Sequence, residues 1–71
     1  MATEVTVPMV GKIVNVLVNV GDSVNEDDQI AILEAMKMEM PVVAPTSGVI
    51  KEIKVSPGQE VDADTVLAVI E

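Results

Sequence analysis

Apolar residues recur along the chain in two similarly spaced sets: Ile13, Val16 and Val18 form one, and Ile50, Ile53 and Val55 the other. Inward residues of a strand recur every two positions, so a step of three followed by a step of two predicts a β-bulge near 14–15 and again near 51–52. Around each bulge the pattern reads as a short strand, a Pro-containing loop, a long strand over 12–18 or 49–55, a turn, and a final strand over 29–33 or 66–70. Gly21-Asp22 and Pro57-Gly58 supply the turn chemistry. The run from Ile30 to Met36 and the segment from Met38 to Val43 read as two arms of a hairpin joined near Met36-Lys37.

The two sets belong to one internal repeat. A shift of 37 positions, with no gap, aligns Pro8, Gly11, Ile13, Val18, Gly21, Val24, Asp27, Ala31 and Glu34 with Pro45, Gly48, Ile50, Val55, Gly58, Val61, Asp64, Ala68 and Glu71. Met1 falls on Met38, so the half-repeats are 1–34 and 38–71, with Ala35-Met36-Lys37 at the seam. Two copies are too few for a solenoid. Two halves that each carry one apolar face bury those faces against each other. The expected fold is therefore all-β: a flattened barrel or sandwich of two four-stranded antiparallel sheets, about eight short strands with pseudo-two-fold symmetry.

Composition agrees with strands and narrows the partners. Val, Ile, Ala and Met dominate the apolar half, aromatic residues are missing, and β-branched residues favour pleated sheets. The 71 residues, read as a single domain, bury only about 60% of the unfolded surface, and neither Cys nor His is present to add a disulfide or a common metal ligand. Four basic against 12 acidic residues give a net charge of -8, which opposes nucleic acid and anionic lipid. No apolar run approaches the roughly 20 residues that span a bilayer, and the pattern predicts no membrane insertion, no leader and a cytoplasmic protein. The acidic stretch Asp22 to Asp28 lacks the alternating ligands of a calcium loop and reads as a solvated turn. No nucleophile–base pair or phosphate-binding Gly loop stands out, so the chain is not expected to be an enzyme.

The repeat singles out Lys37. A two-fold axis between the halves places their join opposite the chain termini, so Lys37 is expected at the tip of a hairpin. Two-residue hairpins favour Asn-Gly or Asp-Gly because both positions want φ > 0, and Met-Lys there carries strain. Met36 and Met38 flank the lysine, with Met40 two places on; gap filling in a small core is the plain alternative for such residues.

Glu34-Ala35-Met36-Lys37-Met38-Glu39 resembles the attachment motif of biotinyl domains, in which a lysine between two methionines is modified. Pro8-Met9-Val10-Gly11 and Ala44-Pro45-Thr46-Ser47-Gly48 look like family segments as well. The resemblance implies biotin joined as an amide to Lys37, with Glu34, Ala35, Met36, Met38 and Glu39 as the surrounding site. It implies a non-catalytic carrier served by a biotin protein ligase, and working with biotin carboxylase and carboxyltransferase or decarboxylase components. The gap-free repeat leaves no room for the protruding thumb of some bacterial acetyl-CoA carboxylase carriers. The chain looks more like the thumbless domains of acyl-CoA carboxylases, pyruvate carboxylases, transcarboxylases and biotin-dependent decarboxylases. Lipoyl domains share that fold but typically carry Asp before the lysine and Ala after it, so a lipoyl carrier is the nearest alternative. An unmodified barrel-sandwich adaptor is the more distant one.

Overall fold

The computed structural model describes residues 2–71; Met1, which the repeat pairs with Met38, lies outside them. Eight strands follow in order: β1 (Thr3–Thr6), β2 (Gly11–Val16), β3 (Ser23–Val24), β4 (Gln29–Ala35), β5 (Met38–Val43), β6 (Gly48–Ile53), β7 (Glu60–Val61) and β8 (Val66–Ile70). They form two four-stranded antiparallel sheets, ordered β1-β8-β6-β3 and β5-β4-β2-β7. The expected all-β class and sheet count are therefore observed.

The repeat holds at the level of register. Leu33↔Met40, Ile32↔Pro41 and Ala31↔Val42 in β4–β5 become Thr3↔Ile70, Glu4↔Val69 and Val5↔Ala68 in β1–β8. Ile13↔Leu33 in β2–β4 becomes Ile50↔Ile70 in β6–β8. The same operation relates the loop bonds: the Asp27 N–H donates to the Ala44 carbonyl at 2.8 Å, and the Asp64 N–H to the Val7 carbonyl at 3.0 Å.

Each sheet, however, takes two strands from each half, so the halves are interwoven rather than stacked as one sheet apiece. Interweaving lets β4 and β8, the most buried strands, each lie between two neighbours in a different sheet. Their buried faces meet in one aliphatic core around Ile13, Ile30, Leu33, Ile50, Leu67 and Ile70, all at most 1% exposed.

The bulges fall where the apolar spacing puts them, between Ile13 and Asn15 and between Ile50 and Glu52. Skipping Val14 and Lys51 turns both side chains to solvent and lets Ile13/Val16 and Ile50/Ile53 share the inner face. The long strands end at Val16 and Ile53, two residues earlier than the apolar pattern, although the Leu17 and Lys54 N–H groups still donate to Ile30 and Leu67 carbonyls at 2.8 Å. β3 and β7 span two residues each, too short to leave a periodic signal.

The acidic stretch has a backbone role. Asp22 accepts the Asn19 N–H and Asp28 accepts the Asn25 N–H, both at 2.8 Å, closing two turns with side-chain carboxylates. Gly11 and Gly48 permit close strand approach. An added Cβ at Gly11 would overlap the Glu34 carbonyl oxygen, and one at Gly48 would stand 2.6 Å from Ile70 Cγ2 and 2.9 Å from the Glu71 carbonyl oxygen.

Candidate functional site

Strand β4 alternates inward and outward as it leaves the core: Leu33 is buried, Glu34 exposed and Ala35 buried. Its antiparallel partner β5 returns with Ala35↔Met38 as the last pair. Only Met36 and Lys37 remain to reverse the chain. Both adopt left-handed backbone, φ 53° and 64°, as a type I′ turn requires. Lys37 thus occupies the second central position of the expected two-residue turn, exposed at the tip of a paired hairpin. Two non-glycine residues in this conformation store backbone strain.

The methionines divide by position. Met36 is 83% and Met38 66% exposed, whereas Met40 packs against the core. Gap filling therefore accounts for Met40 and leaves Met36 and Met38 without a packing role. Glu34 and Glu39 lie directly opposite one another on β4 and β5, both exposed.

A groove of about 770 Å³ runs alongside the hairpin, open to solvent. Glu34, Ala35, Met36 and Lys37 form one wall, Val10–Lys12 the floor, and Glu60–Asp62 the other wall. Met38 and Glu39 lie outside it; Glu39 instead borders a smaller cleft with Lys12, Val14 and Gly58. Lys12 is paired with Glu34 on β4 and with Glu60 on β7, so a cation sits between two carboxylates. Among the described residues the side chains of these three make no hydrogen bond or ion pair, and neither does the Asp62 carboxylate, although the Asp62 backbone N–H donates to Thr65 Oγ1 at 3.1 Å.

Lys12, Glu60 and Asp62 carried no motif and were not legible as site residues. The signal that finds them is the repeat itself, read for its failures. Val10, Lys12, Glu60 and Asp62 fall on Ser47, Val49, Ser23 and Asn25, so the charged groove exists at one end of the pseudo-symmetric body and not at the other. Glu34 falls on Glu71, which Lys51 binds at 2.6 Å, but Lys51 has only Val14 as its counterpart beside Glu34.

These features agree with known proteins of the same shape. The Biotin_lipoyl family model, described as a biotin-requiring enzyme, matches residues 3–70. The chain is 52% identical over 62 residues to a biotin carboxyl carrier protein of Streptococcus mutans, covering 87% of this chain and 48% of that protein. A biotinylated protein of Mycobacterium leprae is 37% identical over 70 residues, 99% of each chain. Urea carboxylase of Kluyveromyces lactis contains a region that superposes with a TM-score of 0.94 at 35% identity, over all of this chain and 6% of that one. With the hairpin, the two interwoven sheets and the matching sequence in agreement, the chain belongs to the Biotin_lipoyl family.

Proposed function

We propose that this chain is a biotin carboxyl carrier domain that holds biotin as an amide on Lys37 Nζ. The observation that carries the reading is the placement of Lys37 on a strained two-residue turn, between exposed Met36 and Met38, in a fold where the methionines are not needed for packing. A lysine ammonium does not attack an unactivated carboxylic acid, so a biotin protein ligase must activate the carboxyl group. Lys37 Nζ then loses a proton, attacks the activated carbon and expels the activating group. When bound, the cofactor supplies a ureido nitrogen that takes up and releases a carboxyl group.

The chain's own part is positional. The paired hairpin fixes the Lys37 backbone, and the lysine stem gives the attached group reach into active sites of other proteins. Tethering on that scale gives effective concentrations in about the millimolar range. Met36 and Met38 offer an apolar contact to the ligase and to the carboxylating site, and Glu34 and Glu39 orient the encounter. The partners are the biotin carboxylase and carboxyltransferase or decarboxylase components of a biotin-dependent enzyme.

Intact and peptide mass spectrometry after incubation with ATP, biotin and a biotin protein ligase tests the reading. One biotinyl group confined to Lys37, absent from Lys37→Arg, is the expected result. Lipoate added in a parallel reaction instead, or no modification at all, overturns it.

A further inference from the structure

The groove beside the hairpin has a depth of chemistry that attachment alone does not require. Lys37 forms part of its wall, so any group joined to Nζ begins there. Lys12 and its partner Glu34 lie two ladder levels below the Met36-Lys37 turn, about 7 Å along the strand. The path from the lysine Cα to the bicyclic ring of biotin is about eleven bonds, about 14 Å when extended at the roughly 3.8 Å that a trans chain advances per three bonds. The ring therefore reaches that level with the arm partly folded back along the groove.

We propose that the groove is a resting dock for the biotinyl arm of this same chain, an inference that rests on Lys37 as the attachment point. The donor set fits the head group. A ureido ring presents two N–H donors and one carbonyl acceptor; Glu60 and Asp62 accept the former, and Lys12 donates to the latter in charge-assisted hydrogen bonds. The aliphatic chain and thioether ring lie over Val10, 65% exposed, and along the Gly11↔Val61 strand pair. None of the charged groups is committed to another side chain among the described residues. The equivalent position at the opposite end offers Ser47, Val49, Ser23 and Asn25, so the fold itself does not demand the groove's chemistry. Tethering populates a dock too weak to retain free biotin at ordinary concentrations.

The test compares amide spectra of the full chain before and after enzymatic biotinylation, with mass spectrometry confirming one biotin on Lys37. Docking moves the Gly11, Lys12, Val61 and Asp62 signals, leaves those of Gly48, Val49, Val24 and Asn25 in place, and gives ring-proton cross-peaks to the exposed Val10 methyls. A triple variant, Val10→Ser with Glu60→Ser and Asp62→Asn, borrows the residues of the opposite end and is expected to fold, take biotin and lose the shifts at Gly11 and Lys12. Shifts confined to 35–38 without ring cross-peaks, or shifts that survive in the triple variant, overturn the dock while leaving attachment intact. Failure to biotinylate Lys37 at all overturns the attachment reading instead.

Discussion

Glu34 and Glu39 face each other across the last outward pair of the β4–β5 ladder, one pair before the turn that carries Lys37. Like charges placed directly opposite in an antiparallel pair oppose folding. Removing one charge with Glu39→Gln is expected to raise stability by about 0.2–1 kcal/mol in urea denaturation. The gain should shrink at high salt, where exposed charges are screened. If the pair orients ligase encounter, the same variant should biotinylate more slowly despite folding better.

The turn stores strain of a second kind. Exchanging Met36-Lys37 for Asn-Gly puts the residues a type I′ turn favours at both left-handed positions, and Met36, 83% exposed, takes little packing with it. Relief of about 1–2 kcal/mol is expected, read as a higher denaturation midpoint at unchanged slope, with biotinylation abolished. A chain no more stable than the parent would show that the two residues sit in the turn without cost.

How much of this was legible in the sequence depended on whether the signal was periodic or spatial. Ile13, Val16 and Ile50, Ile53 revealed both bulges because a missed beat in a two-residue period is visible in one dimension. Lys37 was found by symmetry, since turn preferences argue against Met-Lys at a tight reversal. The interweaving of the halves was not legible: an apolar face says that a strand is buried, not which half supplies its neighbour. Lys12, Glu60 and Asp62 stayed hidden because they come together only when β7 pairs with β2, and β7 is two residues long.

Gly11 is confined by its neighbours. With the Glu34 carbonyl, Leu33 Cδ1 at 3.0 Å and Ala35 Cβ at 3.3 Å around the place of a Cβ, Gly11→Ala must push β2 from β4. Overpacking of this sort costs about 1–3 kcal/mol. Gly48→Ala meets Ile70 and the Glu71 carbonyl in the equivalent place and should cost a similar amount. Thermal denaturation of the two variants checks both the cost and its symmetry; a Gly11→Ala protein as stable as the parent would contradict the close approach.

The Lys51–Glu71 pair sets a pH dependence. The hydrogen bond and charge of Lys51 hold the Glu71 carboxyl below the usual glutamate range, and Glu71 raises Lys51 in return. The carboxylate's contribution is complete above the ordinary glutamate value and is lost as pH falls through the depressed one. The ammonium's contribution is complete below the ordinary lysine value and is lost as pH rises through the raised one. The pair therefore acts across the neutral range, weakly and with salt sensitivity, because its side chains are 55% and 48% exposed. Side-chain NMR titration should place the Glu71 midpoint lower in the parent than in Lys51→Met; equal midpoints would mean that the pair does not persist in solution.

Met38 separates recognition from packing most cleanly, since it lies outside the groove and is 66% exposed. Met38→Leu keeps an apolar side chain of similar volume but replaces a flexible, polarizable thioether with a branched one. With so little of the side chain buried, stability should change by less than about 0.5 kcal/mol. A contact surface for the ligase and for the carboxylating site should feel the change of shape, so biotinylation kcat/KM and subsequent turnover of the biotinylated chain are expected to fall. Measuring both rates beside the denaturation midpoint distinguishes the roles: lowered rates at constant stability assign Met38 to recognition, whereas unchanged rates at constant stability remove it from the site and leave Met36 as the remaining methionine contact.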